Sequence, residues 1–175
     1  HKLCGEQMAK VYWQDWQVPS IGIRPAIIYG VGRDQGMTAA PSIAMLAAVA
    51  NASYVIPFTG NVSFIYVQDA ANCFIKAVYK ETNGSPVFDM NGHQYNIKSL
   101  IADVKEYYPN ANISARGNPL PFPAQSDENL LINYLNLPAY QTMQEGIGQT
   151  LNQFEEAQKR GVLTKKLIYK IINNN

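Results

Sequence analysis

The residue types that support metal or nucleophilic chemistry are few in this sequence and poorly spaced for a shared site. His1 and His93 lie far apart, and neither has a cysteine or carboxylate nearby at the spacing of metal ligands. The patterns G-x-S-x-G and P-loop do not occur, nor does a G-x-G-x-x-G turn that opens a helix. Gly30-Val31-Gly32 is a glycine pair without a helical pattern at the required distance. The sequence therefore predicts no metal site and identifies no nucleophile.

Three charged residues remain as candidates for acid, base or binding chemistry. Asp69 follows a strand pattern at the start of a helix pattern, where a helix cap is a commoner role than a catalytic acid. Asp89 closes an apolar run and is either a buried acid with a perturbed pKa or, as we favour, a polar strand end. Lys2 lies near the first turn of a helix, where spacing alone favours a solvated lysine. Spacing therefore assigns catalysis to none of them.

The elements that must position these residues alternate between helix and strand, which predicts an α/β fold. Apolar spacing predicts a helix over 2–17 that Pro19 ends, and the apolar run 21–28 predicts a parallel strand covered on both faces. Further helices are predicted at 41–52, 70–80, 97–107, 127–135, 143–160 and in the tail 162–175, and further strands at 53–57, 62–67, 86–90 and 113–115. Asn96 is the predicted cap of helix 97–107, and the proline-rich run 118–125 is predicted to be extended. These strands are too few for a self-sufficient doubly wound sheet.

Composition places the chain among ordinary globular proteins. Its 175 residues are 47% hydrophobic and 15% charged, with a formal net charge of +1. This balance argues against disorder and against a charge-driven attraction to nucleic acid or to an anionic membrane. Cys4 and Cys73 lie among apolar helical residues, which predicts buried free thiols in a reducing compartment. With no signal-peptide pattern and no apolar run of membrane-spanning length, we expect a cytoplasmic protein.

Five short segments carry a more specific signal than the spacing does. They are KLCGEQ from Lys2, IRP with YGVG between Ile23 and Gly32, FIYVQDAA from Phe64, the segment 86–104, and LNLP with EGI after Leu135. In this order they resemble the extended short-chain dehydrogenase/reductase family, in its NAD-dependent epimerase/dehydratase group. In that family a Tyr-x-x-x-Lys motif opens a helix similar to KLAGEQ, and Arg-Pro and Tyr-Gly-x-Gly follow. The resemblance covers essentially the whole chain.

The resemblance implies a fold and a domain division. The fold would be the C-terminal part of a Rossmann-type doubly wound sheet plus the smaller α/β substrate-binding domain. Residues 1–33 would be a remnant of the dinucleotide-binding domain, with the motif helix and the strand after it. Residues 34–175 would be mainly the substrate-binding region, while 86–104 would return a strand and a helix to the Rossmann sheet.

The resemblance also implies roles on the cofactor side. Lys2 matches the motif lysine, which in the family hydrogen-bonds the nicotinamide ribose and lowers the pKa of the catalytic tyrosine, so that the phenol can act as acid and base. Pro25 and Ala26 would lie beside the nicotinamide, through backbone and small side-chain contacts. The tyrosine itself would stand three residues upstream of His1 and is not among these residues.

On the substrate side the resemblance implies contacts that depart from the common pattern. Ile27 stands where many sugar-nucleotide enzymes have Asn, and Ser63 stands near their Arg that grips the pyrophosphate. An apolar chain and a neutral hydroxyl cannot replace an amide and a bidentate cation, which argues against a nucleotide-sugar substrate. Arg33 and Gln35 lie in a loop that would line the substrate pocket, and a solvated loop is an equally open interpretation for both.

The family's first strands and its glycine-rich phosphate loop have no counterpart in this sequence. We therefore expect that the intact protein uses NAD or NADP for hydride transfer on a sugar or a related polyol or carbonyl compound, as a homodimer. The chain alone is predicted neither to bind the cofactor tightly nor to turn over. A non-catalytic binding or assembly protein on the same scaffold is the alternative. In a third interpretation, helix 2–17 is an oligomerisation surface whose apolar face lacks its partner strands.

Overall fold

The structure is a computed structural model that describes residues 1–122 and 127–173. Its helices are α1 (Lys2–Trp16), α2 (Ala40–Val49), α3 (Val67–Val78), α4 (Ile97–Tyr107), α5 (Asn129–Leu135), α6 (Met143–Lys159) and α7 (Lys165–Asn173), with a 3₁₀ turn at Met37–Ala39. Its strands are β1 (Gly22–Pro25), β2 (Ile27–Tyr29), β3 (Tyr54–Ile56), β4 (Asn61–Tyr66), β5 (Val87–Met90), β6 (His93–Asn96) and β7 (Ile113–Ala115). The predicted α/β character is confirmed. The extended segment predicted for 118–125 lies in part outside the described residues.

The strands form three small sheets in which parallel pairing predominates. Parallel pairs join β1 to β5, β2 to β4 and β3 to β7, whereas β6 runs antiparallel to β4. Arg24 lies opposite Asp89 in the β1–β5 register, and Ile27 lies opposite Phe64 in the β2–β4 register. Because β1 and β2 are separated only by Ala26, the chain passes from the first sheet to the second at this residue.

The larger hydrophobic core surrounds α2. Small residues dominate this helix, and Ala40 to Ala48 are all buried, so the neighbouring elements approach its backbone closely. The helices α4, α6 and α7 and the strand β3 pack around it. A second, smaller core lies between the β1–β5 sheet, α3 and α5; its fully buried members include Cys73, Met90 and Leu131.

Helix α1 differs from the other long helices because none of its residues is buried. Its large apolar side chains remain between about half and two thirds exposed: Leu3 68%, Met8 55%, Val11 46%, Tyr12 49% and Trp16 62%. The helix ends where Gln17 takes the left-handed conformation. Within the described residues the apolar face of α1 is therefore exposed, and its role as an oligomerisation surface stays a prediction.

The structure corrects two predicted elements and adds one strand that was not predicted. The apolar run 21–28 is two strands rather than one, because the chain leaves the β1–β5 pairing after Pro25. Strand β6 was not predicted, since the sequence His-Gln-Tyr-Asn lacks the apolar alternation of a typical strand. Helix α3 begins at Val67, three residues earlier than predicted.

Burial on α3 and α1 differs from what their apolar residues suggest. On α3 the apolar residues Phe74, Ile75 and Val78 are 44%, 55% and 79% exposed, and the helix instead buries Asp69, Ala70 and Cys73. Cys4 was predicted to be buried and is exposed, because it lies on α1. The cap prediction for α4 is confirmed, since the side-chain oxygen of Asn96 accepts a hydrogen bond from the backbone N–H of Lys98.

The division into a dinucleotide-binding remnant and a substrate-binding region stays a prediction. Within the segment 86–104, β5 pairs with β1, as that division requires. Helix α4, which begins in the same segment, packs against α2 and α6 in the larger core.

Candidate active site

A cavity of about 620 Å³ opens where the chain passes from the β1–β5 sheet to the β2–β4–β6 sheet. The carboxyl ends of β1 and β5 and the first half of β4 form its walls. In open α/β sheets, ligands bind in the crevice outside the carboxyl ends of the strands. The cavity follows this rule at β1 and β5, whereas β2 and β4 reach it at their amino ends. It is the candidate substrate site and is called the substrate cavity below.

Most of the predicted site residues converge on this cavity. Pro25, Ala26, Ile27, Arg33 and Ser63 line it together, although they come from the end of β1, from β2, from a loop and from β4. Ile27 is only 4% exposed and forms part of an apolar floor, whereas Pro25 is exposed. Ile27 pairs with Phe64 in the β2–β4 register, which places residues 27 and 63 on neighbouring strands beside the cavity.

The loop after β2 holds Arg33 over the cavity. Its Nη1 donates to the backbone oxygen of Gln35 at 2.7 Å, and its Nη2 donates to Oγ1 of Thr38 at 2.8 Å. Thr38 also lines the cavity, whereas Gln35 is exposed and does not line it. Gln35 therefore contributes a carbonyl that orients the guanidinium, and Arg33 supplies the charge.

Lys2 lies beside a second cavity of about 580 Å³, which separates α1 from β1. Lys2 and Glu6 line its α1 side, and Gly22 and Ile23 belong to its β1 side. Arg24 and Pro25 line both cavities. The structure therefore does not place Lys2 in the substrate cavity but in the adjoining one, on the other side of the end of β1.

Arg24 connects the elements around both cavities. Its Nε and Nη2 donate to the two carboxylate oxygens of Glu6 at 2.7 and 2.6 Å, and its Nη1 lies 3.5 Å from Oδ1 of Asp89. The hydrogen bonds from Arg24 are the main cause that lowers the pKa of Glu6, and the same pairing raises the pKa of Arg24. The guanidinium thus bridges α1, β1 and β5 in its charged form.

Sequence reasoning missed several residues of the substrate cavity. These are Arg24, Asn61, Val62, Asn91 and Phe122; Thr38 lies in the loop 33–38 that was expected to line the pocket, and Asp89 was considered but interpreted as a strand end. A signal existed for Arg24 and Asp89, since each interrupts an apolar strand and an opposite charge on the neighbouring strand would satisfy it. Asn61 and Asn91 gave no such signal, because loop and turn positions commonly carry Asn.

Asp69 is neither a cap nor part of the substrate cavity. It lies in the first turn of α3, 8% exposed, and its Oδ2 accepts a hydrogen bond from the backbone N–H of Gln141 at 3.1 Å. Burial raises the pKa of this carboxyl, while its hydrogen bonds to Gln141 act in the opposite direction. The helix cap is Tyr66, without a side-chain bond. Asp69 therefore fixes the segment before α6 to α3.

Neither a metal-binding group nor a membrane-spanning helix is found among the described residues. In residues 1–122 and 127–173, no group of three or more His, Cys, Asp or Glu side chains is arranged to hold a metal ion. None of the described helices combines the length and apolarity needed to cross a bilayer.

The family model of the NAD-dependent epimerase/dehydratase family matches residues 1–97, which is more than half of the chain. The chain belongs to this family. The matched region contains α1, β1, β2 and β4 to β6, and thus both cavities except for Phe122. No curated protein sequence matches this epimerase/dehydratase family member.

Solved structures confirm the fold. A partial consensus L-threonine 3-dehydrogenase superposes with a TM-score of 0.75 at 18% identity, covering 89% of this chain and 55% of that one. The UDP-glucose 4-epimerase of Thermus thermophilus in complex with NAD superposes with a TM-score of 0.73 at 18% identity, covering 88% of this chain and 52% of that one. The Bordetella bronchiseptica enzyme WbmF in complex with NAD⁺ and UDP superposes with a TM-score of 0.69 at 20% identity, covering 97% of this chain and 54% of that one. The family member described here therefore spans just over half the length of these Rossmann-type structures.

Proposed function

We propose that the intact protein is an NAD(P)-dependent epimerase, dehydratase or reductase and that this chain supplies its substrate cavity. The supporting observation is that one cavity is lined by residues that a sequence resemblance alone had suggested: Pro25, Ala26, Ile27, Arg33 and Ser63. The cavity volume of about 620 Å³ suits a small molecule of sugar size or somewhat larger. Family membership supports the same type of chemistry.

The residues around the end of β1 fit the nicotinamide end of a dinucleotide. Pro25 is exposed and Ala26 is small, so a flat ring can approach the backbone there. Lys2, in the adjoining cavity, offers N–H donors to a ribose. When bound, the dinucleotide would accept or return a hydride at the substrate carbon. The residues of this chain would orient the two molecules and exclude water between them.

The phosphates of a dinucleotide need a different cradle. In the described parts of this chain, Gly30 and Gly32 lead from β2 into a turn and a loop rather than into a helix N-terminus. We therefore propose that the chain alone binds NAD(P) weakly and does not turn over. Calorimetric titration of the 175-residue chain with NADH and NADPH tests this, and a micromolar dissociation constant for either would contradict it.

The substrate class follows from the cavity lining. Ile27 offers no amide, Ser63 carries no charge, and the two guanidinium groups at the cavity are already engaged by Glu6, Asp89 and the Arg33 loop. We propose a sugar, or a related polyol or carbonyl compound, in preference to a nucleotide sugar. The structural relatives include both an L-threonine 3-dehydrogenase and a UDP-glucose 4-epimerase, so the scaffold accommodates either size of substrate.

The decisive experiment incubates the intact protein with NAD⁺ or NADP⁺ and with free sugars, polyols, L-threonine or UDP-sugars. It follows both net cofactor reduction and the formation of epimerised or dehydrated product, because epimerases and dehydratases return the hydride to the substrate. We expect turnover with a substrate that carries no nucleotide, and a loss of roughly a hundredfold or more in kcat for Lys2→Met. Lys10→Met on the same helix is the matched control and should leave kcat unchanged. Substrate binding without any hydride transfer would instead support a non-catalytic binding protein.

We also propose that the intact protein is a cytoplasmic homodimer. The exposed apolar face of α1, from Leu3 to Trp16, supports an interface on this helix. Sedimentation analysis of the intact protein tests the oligomeric state, and a monomer at micromolar concentration would contradict it.

A further inference from the structure

Helix α1 carries Lys2 but has little packing of its own to fix its position. None of its residues is buried, and within the described residues none of its side chains belongs to either hydrophobic core. A cavity of about 580 Å³ separates it from β1. A helix held in this way needs a specific tie if its side chains are to keep one position relative to the sheet.

Arg24 provides such a tie in the middle of the gap. Two of its guanidinium nitrogens meet both oxygens of Glu6, at 2.7 and 2.6 Å, in the fork-to-fork geometry that fixes orientation as well as distance. Glu6 lies four residues after Lys2 in α1, and both line the same cavity. Residues four apart share one face of a helix, so the position of Glu6 determines that of Lys2.

The other end of the guanidinium is also held. Nη1 of Arg24 lies 3.5 Å from Oδ1 of Asp89, which faces it across the β1–β5 register. The side chain of Glu6 is only 17% exposed, whereas those of Asp89 and Arg24 are 33% and 50% exposed. Glu6 on α1 is therefore the most buried member of this group, and Arg24 on β1 supplies the cation that pairs with it.

We propose that Arg24 is a positioning residue that, through Glu6, sets where Lys2 lies relative to Pro25 and Ala26. The importance of that position for catalysis rests on the proposed function above, but the docking of α1 does not. Arg24 lines the substrate cavity as well, so the same side chain couples the position of the α1 helix to the cavity wall.

The test measures the distance between α1 and the larger core in the 175-residue chain. One nitroxide label is attached to Cys4, which is exposed on α1, and a second to a cysteine introduced by Ser114→Cys on the exposed side of β7. Cys73 is buried and stays unlabelled. We expect one narrow distance distribution in the parent chain and a broad one in Arg24→Gln.

Three comparisons make this result specific to the ion pair. The charge-swapped pair Glu6→Arg with Arg24→Glu, made together with Asp89→Asn, should restore a narrow distribution, because the carboxylate of Asp89 would otherwise repel the new carboxylate at position 24. Arg24→Lys should restore it only in part, because lysine lacks the planar fork. Arg160→Gln removes a guanidinium from the Arg160–Glu156 pair within α6 and should have no effect. In the parent chain, about 1 M NaCl should broaden the distribution, because salt screens exposed pairs.

Amide exchange separates docking from folding. In Arg24→Gln the α1 amides should exchange faster by roughly threefold or more, while those of α4 keep their parent rates. A narrow distribution in Arg24→Gln, or a swapped pair that stays broad while α4 is protected as in the parent, would overturn the proposal. If α1 docks as described but the intact protein transfers no hydride, the proposed function fails and the role of Arg24 in docking stands.

Discussion

Helices α1 and α4 have similar sequence patterns but different structural settings. Both were predicted from apolar residues at helical spacing, and both are helical over the predicted range within one residue. Helix α4 buries Ile97, Leu100 and Val104 in the larger core, whereas α1 buries no residue. Periodicity thus predicts which face of a helix is apolar, but it does not say whether the covering surface is present in the same chain.

The contrast divides the molecule into a side with a complete core and a side held by polar contacts. The substrate cavity rests on β4, which belongs to the larger core, while Lys2 rests on α1. The β4 wall of the cavity is therefore held by the larger core. By the proposal above, the geometry around Lys2 depends on the Glu6–Arg24 pair instead.

The same substitution in the two helices gives the largest expected difference. Leu100→Ala removes a side chain with 0% exposure and should lower the free energy of unfolding by about 2–5 kcal/mol. Leu3→Ala removes one that is 68% exposed and should change it by less than about 0.5 kcal/mol. Urea unfolding followed by circular dichroism measures both. Equal losses in the two variants would show that α1 packs on a surface that the structure does not contain.

Two helical glycines extend the comparison to smaller effects. A Cβ at Gly146 in α6 would clash with the buried Oη of Tyr29, so Gly146→Ala should cost about 1–3 kcal/mol of unfolding free energy. A Cβ at Gly5 in α1 would meet nothing within 4 Å. Gly5→Ala should instead increase the helicity of α1, because alanine is favoured over glycine by about 1 kcal/mol in a helix.

Thermal unfolding and far-ultraviolet circular dichroism of the two glycine variants distinguish these effects. Gly146→Ala should lower the unfolding temperature, while the helicity measured at lower temperatures stays that of the parent. Gly5→Ala should leave the unfolding temperature nearly unchanged. An unfolding temperature lowered by Gly5→Ala would show that α1 is packed against the sheet more closely than the cavity between them indicates.

The substrate cavity, on the side of the larger core, should also determine substrate specificity. Adding a guanidinium by Ser63→Arg, together with Ile27→Asn, restores the two groups that nucleotide-sugar enzymes commonly have at these positions. We expect the double variant of this chain to bind UDP-glucose about tenfold more tightly than the parent chain, because a charge-assisted hydrogen bond contributes roughly 1.5–3 kcal/mol. Calorimetric titration measures the affinity.

The control for that variant is Ser114→Arg, which adds the same charge on β7 outside the cavity. It should leave the affinity for UDP-glucose unchanged. If both variants gain equally, general charge attraction explains the gain, and the cavity does not select against nucleotides in the manner proposed.

Much of the fold was predictable because it depends on local sequence. The asparagine cap of α4, the proline after α1 and the small-residue pattern of α2 specify their elements directly. Strand β6 was not predictable in this way, because His-Gln-Tyr-Asn becomes a strand by pairing with β4. Its partner is some thirty residues away in the chain, and no local pattern carries that information.

The candidate site was predictable in part for a related reason. Residues 25 to 27, 33 and 63 came from the resemblance to a family, and the structure brings them to one cavity. Arg24 and Asp89 could not be assigned to the site from sequence, because the β1–β5 register was not known. That register sets the two residues opposite each other and so places both charges at the cavity. Gln35 was assigned by its position in the loop, but its carbonyl, rather than its side chain, orients Arg33.

The smallest expected effect is a pH-dependent release of α1. Arg24 lowers the pKa of Glu6 below its ordinary value of 4.5, and Lys10 acts in the same direction. A carboxyl with a lowered pKa in the folded state stabilises that state above its ordinary pKa, and this stabilisation is lost as the pH falls through the lowered value. The emission of Trp13 and Trp16, both on α1, should therefore change as the pH falls below 4.5.

A second carboxyl separates release of α1 from general acid unfolding. Glu145 on α6 also has a lowered pKa, because the backbone and side chain of Thr142 donate to it, but α6 is held by the buried Ile147 and Leu151 as well. Protonation of Glu145 should thus leave α6 in place at a pH where protonation of Glu6 frees α1. Glu6→Gln should remove the tryptophan transition, and Glu145→Gln should retain it. If the tryptophan emission instead changes together with the far-ultraviolet signal in both variants, α1 unfolds with the core, and the two sides form one cooperative unit.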